Sequence, residues 1–360
     1  MKIYSFFSGL GFLDLGFENT AGFDVCFANE IHRPFLDAHE FSRASMENSK
    51  QSTTARHCCS IENLAAKRNL FKSSNGASEP IGFIGGPPCP DFSIAGKQRG
   101  QHGDNGRLTR LYVELIQAHK PHWFLFENVK GLWSTKRHRT FYDEMVRKLI
   151  VDGYIVDDRL INALEYGAPQ DRDRIILVGF HKRLLGKKSG GRLKGGLGWD
   201  LQMSHNRQAV FDAPWPTTNP FGGNPQLPKG CFKELTVEHW FVEKEVSLHP
   251  NYCHGFTPRA GLARFQTIEE GDDSKKSFKR LHRWRFSPTV AYGNNEVHLH
   301  PYEARRLRVS EALALQTLPT SYTLPDNMTL SNMFKGIGNG VPYVAASGLA
   351  RMIKNHIENL

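Results

Sequence analysis

Two residues in this sequence could act as a nucleophile and a proton donor. Cys89 lies in FIGGPPCPDFSIAGKQRG (83–100), where glycines and prolines leave it on a segment that can form neither a helix nor a strand. Glu127 ends the apolar run in FLFENVKGL (124–132). A thiol fixed by prolines suits nucleophilic attack where its surroundings favour the thiolate, and a carboxyl group beside apolar side chains suits proton transfer. Taken alone, Glu127 would more often be a surface glutamate that follows a strand.

Alternating polar side chains mark a third candidate site. Gln170, Arg172 and Arg174 alternate in PQDRDR, where the chain enters a strand, so we expect all three on one side of the pleat. Guanidinium groups in such a row can bind a phosphate or a base edge through paired hydrogen bonds. An isolated RDR sequence is more commonly an exposed charge pair.

The N-terminal strand KIYSFF (2–7) runs into a glycine-rich turn that contains Gly9, Gly11 and Gly16. Glycines let a backbone turn tightly and approach a ligand, and Glu30, about 20 residues further on at the end of the next strand, suits the hydroxyl pair of a ribose. The spacing GxGxxxxG fits the dinucleotide fingerprint poorly, which argues against a nicotinamide oxidoreductase. The pattern predicts an adenosine-type ligand at the carboxyl edge of a sheet, with an unliganded tight turn as the alternative.

The elements that must position these residues alternate along the first 180 residues. Short β-rich runs recur at KIYSFF, FDVCFANE, PIGFIGG, HWFLFENV, YIVDDRLIN and RIILVGF, and helical patterns at RLYVELIQAH and TFYDEMVRKLIVDG lie between them. This alternation predicts an α/β fold with a Rossmann-like, mostly parallel sheet that helices cover on both faces. Residues 181–290 show little periodicity and predict a second, smaller, loop-rich domain.

Composition and charge narrow the class of protein. No apolar run reaches the length of about 18 residues that a spanning helix needs, and the N-terminus shows no secretion signal. The six cysteines form no CxxC pair and predict reduced thiols in a cytosolic protein. The net charge is +10, and residues 181–290 hold 18 Lys and Arg against 10 Asp and Glu. Such a basic segment is a candidate surface for a polyanion, although a solvated linker would have the same charge.

In their order along the chain, these motifs resemble those of the cytosine-C5 DNA methyltransferases of restriction-modification type. FFSGLGFLDLGF and the ANE that ends at Glu30 resemble the cofactor motifs, GGPPCPDFSIAGKQRG the nucleophile loop, ENV the second catalytic motif and PQDRDR the paired-arginine motif. RRLRVSEALALQTLP (305–319) resembles the helix that supports target recognition, and KGIGNGVP (335–342) the motif that folds back onto the cofactor site. Departures from the family pattern occur at Ser5, Phe12, Ser60 and Pro90, where the family has an acid, a glycine, an aspartate and a glutamine.

The resemblance implies a reaction and a set of site residues. A methyl group would pass from S-adenosylmethionine to C5 of a cytosine flipped out of duplex DNA. Cys89 would add to C6 of the base, Glu127 would protonate or hydrogen-bond N3, Arg174 would hold the flipped base and Arg172 the adjoining DNA backbone. No metal is expected. The residues implied to bind the cofactor are Phe7, Gly9, Gly11, Glu30, Ile31, Ile61, Pro88, Leu108, Asn339 and Gly340.

The same resemblance implies an organisation and a set of partners. We expect a catalytic and cofactor-binding domain over 1–182, a target-recognition domain over 183–325, and a C-terminal segment, 326–360, that completes the catalytic domain. Within the second of these, the basic stretch GKKSGGRLKGGLG (186–198) would supply phosphate contacts from Lys187, Lys188 and Lys194. We expect a cytoplasmic monomer, nucleoid-associated if bacterial, that binds double-stranded DNA and no membrane. A cognate restriction endonuclease that acts on the same site would be a genetic partner.

Two alternatives share this fold. A tRNA cytosine-C5 methyltransferase has the same catalytic motifs, and CFK (231–233) partly matches the Cys-Phe-Thr signature of that branch. A catalytically silent DNA-binding regulator would not need a nucleophile and an acid, and the presence of both Cys89 and Glu127 argues against it.

Overall fold

The computed structural model describes most of the chain. The described residues are 1–46, 54–65, 79–88, 104–258, 261–275, 277–290, 292 and 297–360. The predicted nucleophile Cys89 and the loop that follows it to residue 103 lie outside this set. In the part that is described, no helix is both long enough and apolar enough to cross a membrane.

Eight strands form one large sheet in the described part of the chain, and they confirm the predicted α/β fold. The strand order is β3-β2-β1-β4-β5-β7-β6-β8, with β1 to β5 mutually parallel and β7 antiparallel to both of its neighbours. The strands are β1 (Lys2–Phe6), β2 (Asp24–Asn29), β3 (Ala55–His57), β4 (Ile81–Gly85), β5 (Trp123–Val129), β6 (Tyr154–Asn162), β7 (Asp173–His181) and β8 (Gly191–Arg192).

Helices cover both faces of this sheet, which explains why its central strands are apolar on both sides. Helices α3 to α6 enclose one apolar core around Phe83, Phe124 and Tyr112, and α1 and α12 enclose the other around Trp123 and Ile176. The helices are α1 (Phe12–Glu18), α2 (Arg33–Ser45), α3 (Ile61–Ala65), α4 (Asp104–His119), α5 (Lys130–Ser134), α6 (Lys136–Val151), α7 (Arg207–Asp212), α8 (Val237–Glu243), α9 (Leu262–Thr267), α10 (Val309–Leu315), α11 (Leu330–Asn339) and α12 (Tyr343–Glu358).

The sheet unit extends beyond residue 182, where the sequence placed a domain boundary. Strand β8 pairs with β6, and Leu193, Leu197 and Trp199 belong to the core that α12 covers. Residues 183–203 are therefore part of the sheet unit, because their apolar side chains pack under it. In the sequence, the glycines and lysines of this stretch obscure its few buried positions.

The basic stretch 186–198 lies far from the edge of the sheet that carries the predicted catalytic residues. Lys182 N donates to Gly153 O, and Arg183 reaches Lys120 O, so the chain leaves β7 at the amino-terminal ends of β5 and β6. Strand β7 has nine residues and spans roughly 30 Å. Lys187 and Lys188, for which the sequence predicts phosphate contacts, therefore lie toward the opposite edge of the sheet from Glu127 and Arg174.

Residues 204–308 form a smaller part that contacts one loop twice, at Ser204 and again at Ser287. Ser204 N donates to Glu165 O over 2.8 Å, and Ser287 N donates to Pro169 O over 2.8 Å. Both acceptors lie in residues 163–171, here called the junction loop, between β6 and β7. The smaller part contains the short parallel pair β9 (Lys279–Arg280) and β10 (His298–Leu299). It thus leaves and rejoins the sheet unit at neighbouring points.

Much of the positive charge of the smaller part is used inside it. Arg280 is fully buried and donates to the carbonyl oxygens of Ile268 and Glu303 over 2.8 and 2.9 Å. Arg283 forms a bidentate ion pair with the buried carboxylate of Glu270, with both hydrogen bonds at 2.9 Å. The excess of Lys and Arg in the sequence therefore overstates the charge that is free to meet a polyanion.

Candidate active site at the carboxyl edge of the sheet

The parallel strands bring most of the predicted site residues to one edge. The glycine turn follows β1, Glu30 follows β2 and Pro88 follows β4. Glu127 lies near the carboxyl end of β5. Carboxyl ends of parallel strands meet at the same edge of a sheet, which is where α/β proteins bind ligands. Because β7 is antiparallel, its first residues, including Arg174, lie at this edge as well.

Glu127 and Arg174 form an ion pair at this edge. Arg174 Nε lies 2.8 Å from Glu127 Oε1, and the two side chains are 16% and 12% exposed. Arg174 Nε makes no hydrogen bond, so the contact is electrostatic rather than directional. The sequence predicted apolar surroundings for Glu127 and missed this cation, which pairing of β7 with β5 brings beside it.

The segment that leads to Cys89 passes directly beside Glu127. A Cβ atom on Gly86 would lie 2.7 Å from Glu127 Oε2, so glycine is needed for this approach. Asn128 Nδ2 donates to Pro87 O over 3.4 Å and fastens the same segment to β5. Pro88 is the last described residue before Cys89. The chain therefore runs beside Glu127 at Gly86 and Pro87, two to three residues before the predicted nucleophile in the sequence.

The glycine turn and Glu30 face each other across the ends of β1 and β2. Gly9 N donates to Glu30 Oε2 over 3.0 Å, and His32 N donates to Glu30 Oε1 over 2.8 Å. Gly9 and Gly11 have φ angles of 55° and 75°, which non-glycine residues rarely adopt. A Cβ atom on Gly9 would meet no atom within 4 Å, so the turn is open to a ligand there. Each carboxylate oxygen keeps a free lone pair for a further donor.

The remaining residues predicted to bind the cofactor differ in which of their atoms are exposed to a ligand. Ile31 is 68% exposed beside Glu30 and presents an apolar face. Ile61 is buried at the start of α3, so only its backbone could meet a ligand, and Leu108 is half-buried in α4. Phe7 has a φ of 56° and contacts Tyr112 edge to face.

The end of α11 packs on the start of α1 beside the glycine turn. A Cβ atom on Gly340 would overlap the ring of Phe12, and one on Gly336 would overlap Leu10. This packing brings Asn339 and Gly340 to the turn, although neither contacts Glu30 in the hydrogen bonds of the described residues. Phe12, which departs from the family pattern, thus serves as the surface on which α11 ends.

Arg172 is placed differently from the expectation. Its side chain is only 2% exposed, and its guanidinium donates to Val290 O and Gly338 O, each over 3.0 Å. A guanidinium with both terminal nitrogens engaged by buried carbonyl groups is not available to a DNA phosphate. The prediction that Arg172 contacts the DNA backbone is therefore replaced by a contact within the protein. Of the three alternating residues, Gln170 and Arg172 are buried and only Arg174 is partly exposed. Gln170 and Arg172 precede β7, which begins at Asp173.

A buried polar cluster under the glycine turn was missed at the level of sequence. Ser5 Oγ donates to Asp14 Oδ1 over 2.6 Å, and Arg43 donates to Gly11 O over 2.6 Å. Burial raises the pKa of Asp14 to about 7. The ring of His39 packs directly on Gly11. Ser5, which departs from the family pattern, thus holds a carboxyl group supplied by α1, a pairing that only the packing of α1 on β1 reveals.

Comparison with known proteins places this arrangement in a family. A family model described as C-5 cytosine-specific DNA methylase matches residues 1–355. The Type II methyltransferase M.NmeDI of Neisseria meningitidis serogroup C is 51% identical over 365 residues, which cover 99% of this chain and 84% of that protein. The Type II methyltransferase M.XorII of Xanthomonas oryzae pv. oryzae is 37% identical over 366 residues, with coverage of 96% and 83%.

Solved structures share the fold at lower sequence identity. A candidate DNA modification methyltransferase encoded within a prophage of E. coli superimposes with a TM-score of 0.67 at 22% identity and covers all of both chains. The S. pombe Dnmt2 methyltransferase superimposes with a TM-score of 0.62 at 13% identity and covers 99% of each. Given the family match over nearly its whole length and the site geometry at the sheet edge, this chain belongs to the family of C-5 cytosine-specific DNA methylases.

Proposed function

We propose that this DNA cytosine-C5 methyltransferase acts on a cytosine flipped out of the duplex, through a covalent adduct of Cys89, with S-adenosylmethionine as the methyl donor. The observation that carries the proposal is the Glu127–Arg174 ion pair, which lies beside the segment entering Cys89. An acid and a cation at that place can bind the polar edge of a pyrimidine and neutralise the charge that develops on its ring.

The residues at the glycine turn fit the proposed donor. S-adenosylmethionine supplies an electrophilic methyl group when it is bound. Glu30 can accept hydrogen bonds from ribose hydroxyls, because two backbone N–H groups already orient its carboxylate. The open space at Gly9 and the exposed side chain of Ile31 leave room for the backbone of a ligand and for the face of its base.

The proposed reaction uses two groups of this chain, the thiolate of Cys89 and the carboxyl group of Glu127. Attack of the Cys89 thiolate on C6 forms a C–S bond and places electron density on C5, while Glu127 hydrogen-bonds or protonates N3. After C5 has received the methyl group, removal of the C5 proton restores the C5–C6 double bond and expels the thiolate. Arg174 holds the carboxyl group of Glu127 and the polar edge of the base. Flipping costs a few kcal/mol, which contacts within the pocket must offset.

The proposed substrate is duplex DNA, and the experiment that tests it is bisulfite sequencing. DNA from cells that express the protein should show one methylated sequence context, which also gives the target site. Purified tRNA should remain unmethylated under the same conditions, whereas methylation of tRNA alone would favour the alternative substrate. The names of M.NmeDI and M.XorII as Type II methyltransferases support a cognate restriction endonuclease that cuts the same site.

Replacing Glu30 by alanine is expected to weaken cofactor binding. The loss of a charge-assisted hydrogen bond to ribose should cost roughly 1–3 kcal/mol, because the ribose hydroxyls would lose their charged acceptor in the bound complex. Calorimetric titration with S-adenosylhomocysteine measures the change. Glu358→Ala, at the exposed end of α12, is the matched control. An unchanged dissociation constant for Glu30→Ala would remove this residue from the cofactor site.

Replacing Lys187 and Lys188 together by glutamine is expected to leave DNA affinity unchanged. Both follow β7 at the amino-terminal edge of the sheet, so they cannot reach a duplex that lies across the opposite edge. Dissociation constants measured over a range of salt concentrations provide the test. Lys130→Gln is the comparison at the catalytic edge: Lys130 is paired with Asp173 there, and a slope lowered by up to about one would show that it exchanges this partner for a phosphate. A fall in slope for the Lys187 and Lys188 variant would place DNA on the opposite edge.

A further inference from the structure

The buried guanidinium of Arg172 joins three separate segments behind the catalytic pair. It donates to Val290 O and Gly338 O, each over 3.0 Å, and to Gln170 Oε1 over 3.3 Å. These acceptors are all neutral, so the group gains no direct ion pair in exchange for its lost hydration. Burying such a charge costs several kcal/mol unless its surroundings compensate. A neutral aliphatic side chain at position 172 would avoid this cost but could not donate to all three acceptors.

The first of these segments is where the smaller part returns to the sheet unit. Residues 287–290, here called the return segment, lie along the junction loop and form one isolated β-bridge with it, between Ser287 and Gln170. Asp171 N donates to Ser287 O over 2.9 Å, and Thr289 Oγ1 donates to Asp171 O over 2.6 Å. Val290 N donates to Gln170 Oε1 over 3.0 Å. The segment is thus aligned residue by residue with the chain that enters β7 and carries Arg174.

The second segment is the end of α11, residues 337–340, which packs beside the glycine turn. Gln170 Nε2 donates to Leu315 O over 3.3 Å and lies 3.4 Å from Gln316 Oε1. Gln316 Nε2 in turn donates to Ile337 O over 2.5 Å and lies 3.4 Å from Gly340 O. Arg172 closes this chain of amides through Gly338 O. The end of α11 is therefore held at several points by a single buried network.

The third segment is the junction loop itself, which Arg172 contacts through Gln170 Oε1. A further connection is electrostatic and leads to Glu127 and Arg174. Burial and the neighbouring Arg174 lower the pKa of Arg172, and the carboxylate of Glu127 opposes that change. Arg172 therefore lies within electrostatic reach of both members of the ion pair. The hydrogen bonds of Arg172 meanwhile hold the return segment and the end of α11.

On the basis of the proposed function, we propose that Arg172 is a positioning residue. It holds the return segment and the end of α11 in fixed register with Glu127 and Arg174, and it does not touch DNA. A flipped base, the acid and the cofactor side of the pocket must meet within about 1 Å, and a misplacement of that size can lower a rate by about a hundredfold.

The experiment compares Arg172→Met and Arg172→Lys with the surface control Arg351→Met on α12. The methionine variant is expected to lower kcat on the order of 10- to 100-fold per folded molecule. Its KM for duplex DNA and the salt slope of DNA binding should match those of the unchanged protein. Arg172→Lys keeps the charge but cannot span two carbonyl groups, and it should recover only part of the lost rate. Arg351→Met should behave as the unchanged protein.

Two outcomes would overturn the proposal. A fall of the salt slope by about one, with a raised KM for DNA, would show that Arg172 contacts a phosphate. An unchanged kcat per folded molecule would show that it stabilises the fold and nothing more. If Arg172→Met does not fold, Gln316→Leu provides the same test from the α11 side: weaker binding of S-adenosylhomocysteine with unchanged DNA affinity supports the proposal, and unchanged binding of both rejects it. Failure of the unsubstituted protein to methylate DNA would instead reject the proposed function.

Discussion

Replacing Cys89 by alanine is expected to abolish methyl transfer while leaving the fold intact. The proposed reaction requires a thiolate to add to C6 before C5 can accept a methyl group, and a methyl side chain cannot form that bond. Transfer of a labelled methyl group to duplex DNA measures the loss, and circular dichroism verifies the fold. DNA binding should persist, because the phosphate contacts do not depend on the thiol.

A matched control separates the nucleophile from general effects of cysteine removal. Cys253 is an exposed free cysteine outside the proposed site, and Cys253→Ala should retain full activity. The alanine variant at position 89 should also fail to form a denaturant-resistant complex with DNA that carries 5-fluorocytosine, whose C5 fluorine cannot leave as a proton does. Methylation by Cys89→Ala above trace rates would exclude the covalent mechanism.

Replacing Glu127 by glutamine is expected to lower the single-turnover rate by about 10²- to 10⁴-fold, the usual contribution of a positioned acid or base. The amide keeps the shape of the side chain but removes its charge, so it loses both the ion pair with Arg174 and the ability to protonate N3. Single-turnover kinetics with saturating DNA and cofactor isolate this step from binding.

A second variant should displace the carboxylate of Glu127 by a steric clash. Gly86→Ala would place a methyl group 2.7 Å from Glu127 Oε2, which must displace the carboxylate from its position. We expect a smaller loss of rate than for Glu127→Gln, with cofactor affinity retained. Gly191→Ala, which would meet no atom within 4 Å, is the control for a glycine in a strand. A single-turnover rate for Glu127→Gln equal to that of the unchanged protein would remove this acid from the chemistry.

The sheet and its functional edge could be predicted from the sequence because both follow from local patterns. Each predicted strand lies within one or two residues of its observed bounds, since short β-rich runs between glycine and proline signals are typical of buried strands. Parallel strands then bring Glu30 and Glu127 to the same edge without further information. The three-residue strand β3 was not predicted, because ARH (55–57) contains no apolar alternation.

The role of Arg172 could not be predicted, because it depends on contacts between segments more than 100 residues apart in the chain. A pattern of alternating arginines describes which way side chains point, and it does not describe what lies opposite them. The same limit applies to the basic stretch around Lys187. Its charge is evident in the sequence, but its place at the far edge of the sheet depends on the direction of β7, which is antiparallel to β5.

Residues 204 and 287 lie side by side on the junction loop, so a long stretch of chain closes on itself there. The chain departs at Ser204 beside Glu165 and returns at Ser287 beside Pro169. Residues between these points also pack on the sheet unit, through Val237, Phe241 and Asn251, so we expect an exchanged insert to need matching side chains at those three positions. The entropy of closing such a loop grows only with the logarithm of its length, so inserts of quite different sizes would fit the same two attachment points.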